Sequence, residues 1–265
     1  TMAVKKIYTY GKNDVLQNLC YEYDAYGNMI SRRNINNATK ESFKYDKLNR
    51  LVEESCGYEK TGSVVYDDMG NISEKESRGV RVVYESVYDE SRPNILIEAK
   101  TDDDRMAAGL NQEMDYSTYE NVVSIEKGDN NVVIDYGISQ DRVFMKYVVD
   151  GVTKTKTYVG NCEIIHDGVR RFTHTFLSGP NGIFAVYTTY DDGGRELNYV
   201  HKDNLGSWCV ITNENCDVVQ ELQFDAWGNV NKIYSTHDND GASLLYDRGY
   251  RSEEHTSELQ SPGSI

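Results

Sequence analysis

Tyr23-Asp24-Ala25-Tyr26-Gly27-Asn28-Met29 returns as Tyr45-Asp46-Lys47-Leu48-Asn49-Arg50-Leu51 and again as Tyr66-Asp67-Asp68-Met69-Gly70-Asn71-Ile72. The tyrosines of successive copies stand 22 and 21 residues apart. A period of that length marks a repeat protein, in which each copy is one supersecondary unit that needs its neighbours to bury a face. The phrase itself is a hairpin turn. Asp accepts from backbone N–H groups two residues on, and Gly three residues after it takes the left-handed conformation that closes the turn. Asn49 stands at the Gly position of the second copy, and Asn tolerates that region better than other residues with a Cβ. The Tyr closes one strand and the residues after the Gly open the next, so the fold class expected is all-β, built from successive hairpins.

Weaker copies extend the array. Tyr88-Asp89 keeps the spacing without the Gly, Tyr116-Ser117-Thr118-Tyr119-Glu120-Asn121-Val122 keeps only the frame, and Phe224-Asp225-Ala226-Trp227-Gly228-Asn229-Val230 is complete except for Phe in place of Tyr. Asp150-Gly151 between two alternating runs is a two-residue hairpin signal that pairs Val149 with Val152 and Tyr147 with Lys154. Asp167-Gly168 is expected to join Cys162–His166 to Val169–Phe172 in the same way, and Asp191-Asp192-Gly193-Gly194 joins a further strand pair. The segment from Asp103 to Glu113 is the one place where a short helix is expected, with Gly109 weakening it.

From Tyr199 the sequence reads Tyr199-Val200-His201-Lys202-Asp203-Asn204-Leu205-Gly206-Ser207, then Ile211-Thr212-Asn213-Glu214-Asn215, then the Phe224–Asn229 copy. Together with the repeats, this block resembles the YD repeats and repeat-associated core of the bacterial Rhs family, which are also found in the shell of animal teneurins. The resemblance implies a hollow, spiralling β-shell divided here into YD repeats (1–100), degenerate repeats and hairpins (101–198) and the opening of the core (199–250). The turn residues Tyr23, Asp24, Gly27, Tyr45, Asp46, Asn49, Tyr66, Asp67, Gly70, Asp225 and Gly228 carry the repeat. His201, Asp203, Leu205, Gly206, Ser207 and Trp227 carry the core block. After Tyr250 the family pattern breaks. Arg251 to Ser261 resembles the translation of a common sequencing-library adapter, and 251–265 is read as an artefactual, disordered tail outside the fold.

Composition suits a thin wall. Tyr supplies 21 of 265 residues, and its ring packs while its hydroxyl stays bonded or wet. Three prolines leave strands uninterrupted. A net charge of −15 excludes nucleic acid as an expected partner, because phosphate binding needs clustered Lys and Arg, and acidic clusters such as Asp102-Asp103-Asp104 are expected to solubilise the surface. No apolar run approaches the roughly 20 residues of a spanning helix. The start of the chain, Ala3 to Tyr8, alternates like a strand and shows no basic segment followed by an apolar core. Five cysteines without C-x-x-C spacing indicate neither a disulfide framework nor a zinc site. If Glu214-Asn215 is a hairpin corner, Cys209 faces Gln220 and Cys216 faces Asn213, so the two do not bridge. Cys216 stands where a turn Gly is usual.

Candidate chemistry is sparse. His201 and Asp203, two apart on a strand, share a face, and His166 and His174 lie upstream, yet no hydrolase, zinc-protease or phosphate-loop motif accompanies them. Hydrogen bonding within the wall is the favoured role for this pair. Asp238-Asn239-Asp240-Gly241 lacks the alternating ligands of a calcium loop and reads as a turn. No cofactor, metal or catalytic residue is therefore expected. The family resemblance implies a shell that sequesters a variable C-terminal toxin, released by self-cleavage and delivered to competing bacteria. Its partners would be that toxin domain and a secretion machinery, and its location secreted or on the cell surface. The carboxylates credited with self-cleavage belong to a closing motif beyond this sequence, so none maps onto a residue here. The alternative is a surface repeat protein that recognises carbohydrate, with Trp208 and Trp227 as stacking platforms.

Overall fold

The computed structural model describes residues 3–77, 80–83, 85–89, 91–100, 112–149, 151–228, 230–236, 244–249 and 251. It is all-β, and among the described residues there is no α-helix. The first sheet holds β1 (Lys6–Tyr10), β2 (Val15–Tyr23), β3 (Met29–Asn34), β4 (Thr39–Tyr45), β5 (Leu51–Cys56), β6 (Glu59–Tyr66), β7 (Ile72–Ser77) and β8 (Val80–Val83). The second begins with β9 (Glu85–Asp89), β10 (Arg92–Lys100), β11 (Gln112–Tyr116), β12 (Val122–Lys127), β13 (Asn130–Tyr136), β14 (Arg142–Val149) and β15 (Val152–Val159). It continues through β16 (Cys162–His166), β17 (Arg171–Gly179), β18 (Gly182–Tyr190), β19 (Arg195–Lys202), β20 (Trp208–Thr212), β21 (Val218–Phe224) and β22 (Val230–Ser235). In both sheets each strand pairs antiparallel with its neighbours in sequence, so the chain is a meander of hairpins without a crossover.

The repeated phrase builds one and the same turn. Asp24 Oδ1 accepts the N–H groups of Tyr26 and Asn28 at 2.9 Å, and Asp46 Oδ1 accepts those of Leu48 and Arg50 at 2.9 Å. Gly27 and Gly70 sit at φ 93° and Asn49 at φ 60°, the left-handed corner that the sequence requires. A bulge falls at the tyrosine each time, between Glu22 and Tyr23, Lys44 and Tyr45, and Val65 and Tyr66. The bulge turns the tyrosine hydroxyl back along the sheet. Tyr45 donates to the Met29 carbonyl at 2.8 Å and Tyr66 to the Leu51 carbonyl at 2.9 Å, which ties each unit to the one before it. Three more turns share this form although their letters have drifted. Ser117 and Asn213 take the Asp position, and Glu120, Gln140 and Cys216 take the left-handed corner at φ 64°, 64° and 66°.

The Asn213 turn corrects the register expected around the cysteines. The corner is the five-residue Asn213–Asp217 turn, with Asn213 Oδ1 accepting the Asn215 and Asp217 N–H groups, so Gln220 faces Ile211 and not Cys209. All five cysteines are free thiols. A second correction falls at Asp167-Gly168. His166 pairs with Arg171, and the loop is four residues long because Asp167 Oδ1 takes the N–H groups of both Val169 and Arg170. The Val149–Val152 and Tyr147–Lys154 pairs stand as expected around Gly151 at φ 76°, and Thr189 pairs with Arg195 across the Asp191–Gly194 turn. Most of the expected short helix, the Asp102–Asp104 cluster, the Asp238–Gly241 turn, Asp150, Asn229 and the tail after Arg251 lie outside the described residues. The last two residues of that expected helix, Gln112 and Glu113, are in strand β11.

Burial alternates along the strands as pleating demands. In the first sheet Gln17, Leu19, Tyr21, Ser31, Phe43, Glu54, Gly62 and Val64 are buried. In the second, one cluster joins Phe176, Val186, Val200, Trp208, Ile211, Val219 and Tyr246, and a smaller one joins Ile125, Val132, Ile134 and Met145.

Candidate functional site

Two places gather polar groups that the sheets must pair: the seam where the sheets meet, and the segment 244–249 lying on the second sheet. At the seam, the turns of the core block dock on the first sheet. The Asn204 N–H donates to Tyr21 Oη at 3.3 Å and the Asn204 amide donates to Tyr23 Oη at 3.1 Å. Gln17 donates to the Lys202 carbonyl, and Arg32 to the Phe224 carbonyl at 2.6 Å. Arg32 also makes a bidentate pair with Glu41, at 2.5 and 2.7 Å. The Ala226 N–H donates to the Glu54 carboxylate at 2.9 Å, and the Trp227 ring lies against Gly62, under Lys75 Nζ at 5.5 Å from its centroid. A small cavity of about 60 Å³ remains between Leu19, Arg32, Cys209 and Leu222, and burial pushes the Cys209 thiol up, away from the nucleophilic form.

The second place is ionic. Lys156 on β15 is fully buried, with Nζ 2.8 Å from Asp247 and 3.4 Å from Glu163. Arg248 pairs with Glu163 and lies 4.6 Å over the Phe176 ring. Tyr246 fills the core beside Trp208 and His174 and accepts from the Asn198 amide at 2.9 Å. The Trp208 N–H donates to the Gly249 carbonyl, and the Leu245 N–H to the Gln220 side chain. Segment 244–249 is thus a strap that covers the buried Lys156–Glu163 pair and supplies each of those charges with a second partner. A cavity of about 130 Å³ lies beside it.

The residues singled out from sequence divide clearly. Tyr23, Asp24, Gly27, Tyr45, Asp46, Asn49, Tyr66, Asp67, Gly70, Asp225 and Gly228 build turns. Asp203 does likewise, its Oδ1 accepting the Leu205 and Ser207 N–H groups at 2.8 Å, with Gly206 at φ 90°. His201 and Asp203 do not form a pair on one face. A bulge between His201 and Lys202 intervenes, and His201 bonds Thr212 Oγ1 at 3.0 Å. His174 bonds Thr188 at 2.9 Å, and burial pushes its pKa down to about 4, so it is neutral at physiological pH. His166 accepts the Gly168 N–H. The three histidines therefore satisfy three separate parts of the wall, and among the described residues no cluster of three metal-ligating side chains exists.

Trp208 is fully buried and Trp227 is packed at the seam, so neither offers an open stacking platform. Among the described residues the most exposed tyrosines, Tyr10, Tyr26, Tyr58 and Tyr119, sit at strand ends and hairpin tips, not in a row on a sheet face. Sequence reasoning missed Glu54, Lys156, Glu163 and Arg248. For Glu54, Lys156 and Glu163 the signal was a charged residue at an inward position of an alternating strand; a bulge beside Glu54 obscures it there, and Arg248 lies on no strand.

No family model matches the chain, and no curated protein matches it. Solved structures do. The crystal structure of TcdB2-TccC3 without its hypervariable C-terminal region matches with a TM-score of 0.70 at 17% identity, over 94% of this chain and 16% of that one. The Photorhabdus luminescens Tc holotoxin pore with a point mutant of TccC3 matches with a TM-score of 0.70 at 16% identity, over 92% and 14%. These TccC3 chains are Rhs/YD-repeat shell proteins, of which the present chain spans about a sixth. At this identity the likeness establishes a shared fold.

Proposed function

We propose that this chain, which has the fold of an Rhs/YD-repeat β-shell, is a segment of the wall of a toxin-encapsulating protein. The observation that carries the reading is the seam. Turns at one end of the meander, in the second sheet, dock on the face of the first sheet, so the two sheets pack together instead of running on as an open ribbon. The segment contributes no catalysis under this reading. Its buried ions and histidines are spent on pairing the wall and anchoring the 244–249 strap. The partners are a C-terminal toxin domain of the same polypeptide and the machinery that exports it, and the site of action is outside the producing bacterium. The likeness to TccC3, which carries a hypervariable C-terminal region, supports this at the level of fold.

The test is a continuous read of the source DNA across the Tyr250 codon. A core-closing motif followed by an unrelated C-terminal domain is the expected result, and expression of that domain alone should be toxic. A stop after the shell, or further repeats leading to a surface anchor, overturns encapsulation and transfers the fold to surface recognition.

A further inference from the structure

Five charged groups meet where the first sheet receives the Asp225 turn. Glu54, on β5, is 2% exposed and accepts the Ala226 N–H. Arg32 faces it from β3, Glu41 from β4, Lys75 from β7 and Asp225 from the turn, while the Cys56 thiol shares its own strand and β6 presents only Gly62 opposite it. Around Glu54, three carboxylates therefore face two cations, and the buried Asp203 acts on Arg32 from the neighbouring turn. Arg32 is already engaged by Glu41 and the Phe224 carbonyl, and Lys75 lies over the Trp227 ring. A buried group of this composition balances when one carboxylate takes a proton. Glu54 is the most buried of the three and accepts one N–H, from Ala226, where Glu41 takes the Arg32 fork.

We propose that the contact between the two sheets is an acid-tightened clasp, in which proton uptake by the buried Glu54 holds the Asp225 turn on the first sheet and proton loss loosens it. The direction follows from the surroundings. Burial is the largest cause, the Asp225 and Glu41 charges add to it, the Ala226 N–H and Arg32 oppose it, and the Glu54 carboxyl is pushed up to about 7 from its ordinary 4.5. A carboxyl raised in the folded state binds a proton that the unfolded chain has released. Its contribution is complete below about 4.5 and is lost as pH rises through about 7. A shift of this size corresponds to a change on the order of a hundredfold in the opening equilibrium. The clasp does not depend on what the shell encloses.

Trp227 reports the contact directly, because its ring packs on Gly62, while Trp208 is fully buried elsewhere and gives a constant background. Acrylamide quenching of the full chain between pH 5.5 and 8.5 should rise several-fold with a midpoint near 7. Glu54→Gln, which keeps an acceptor for Ala226, should remove the step. Asp225→Asn, which keeps an Oδ1 for the Trp227 N–H, should move the midpoint to lower pH by relieving like-charge pressure. A flat wild-type profile overturns the proposal, as does a Glu54→Gln chain with the same midpoint. If Glu54→Gln does not fold, the Asp225→Asn profile decides, and an unmoved midpoint is equally fatal.

Discussion

Cys216 and Asn49 occupy the same corner of the same five-residue turn, at φ 66° and 60°. A side chain there costs about 1–2 kcal/mol, less for Asn, whose short amide bonds locally. Cys216→Gly should therefore stabilise the chain by about 0.5–1 kcal/mol in chemical denaturation, and Asn49→Gly by less. A loss on Cys216→Gly would show that the thiol makes a compensating contact. At the opposite corner the acceptor matters more. Asp203→Ala strands the buried Ser207 N–H and frees the exposed Leu205 N–H to water, and should cost about 1–3 kcal/mol, with Asp203→Asn close to wild type. The exposed turn aspartates set an acid limit. Hydrogen bonds from Asn28 hold the Asp24 carboxyl below its ordinary 3.8, and those from Arg50 do the same for Asp46. A depressed carboxylate stabilises above its unfolded value and loses that contribution as pH falls through the folded one. Melting temperature should fall below about pH 4, the reverse of the trend Glu54 gives between 4.5 and 7.

The strap is the element whose removal should be felt most. Asp247→Leu leaves Lys156 buried with Glu163 alone, and Lys156→Met leaves the partly solvated Asp247 facing an apolar chain; each is expected to cost about 1–3 kcal/mol. The double substitution should cost much less than the sum, because no unpaired charge remains, and a double-mutant cycle in urea measures the difference. Additive losses would mean that the two residues do not share one cluster. Strands and turns of this kind were legible from letters alone wherever Asp and Gly were kept, as at Asp24, Asp67 and Asp203. They were illegible at Gly137, where Gln140 takes the left-handed corner, and at Asn213 and Asp167 the turn was legible but its register was not, because the side-chain acceptor holds a longer loop. The strap was not legible at all. Nothing in Tyr246-Asp247-Arg248 says which strand, some ninety positions away, carries the matching Lys156.

For the whole molecule the seam is decisive, and Gly62 is its tightest point. A Cβ there would stand 2.5 Å from the Trp227 ring, so Gly62→Ala should destabilise by about 1–3 kcal/mol, and Trp227→Leu in the same chain should recover part of the loss. If Gly62→Ala is silent in a thermal melt, the sheets are not packed as described. The repeat period exposed the strands and turns but not the contact between the sheets, since docking of the Asp203 and Asp225 turns on β2, β5 and β6 joins residues 165 to 183 positions apart and leaves no local pattern. The central claim is that these sheets are wall around a cargo. Electron cryo-microscopy of the polypeptide encoded through and beyond Tyr250 tests it most directly. The account predicts a closed, spiralling β-shell with separate density inside its lumen. An open array of hairpins with no enclosed volume would contradict it.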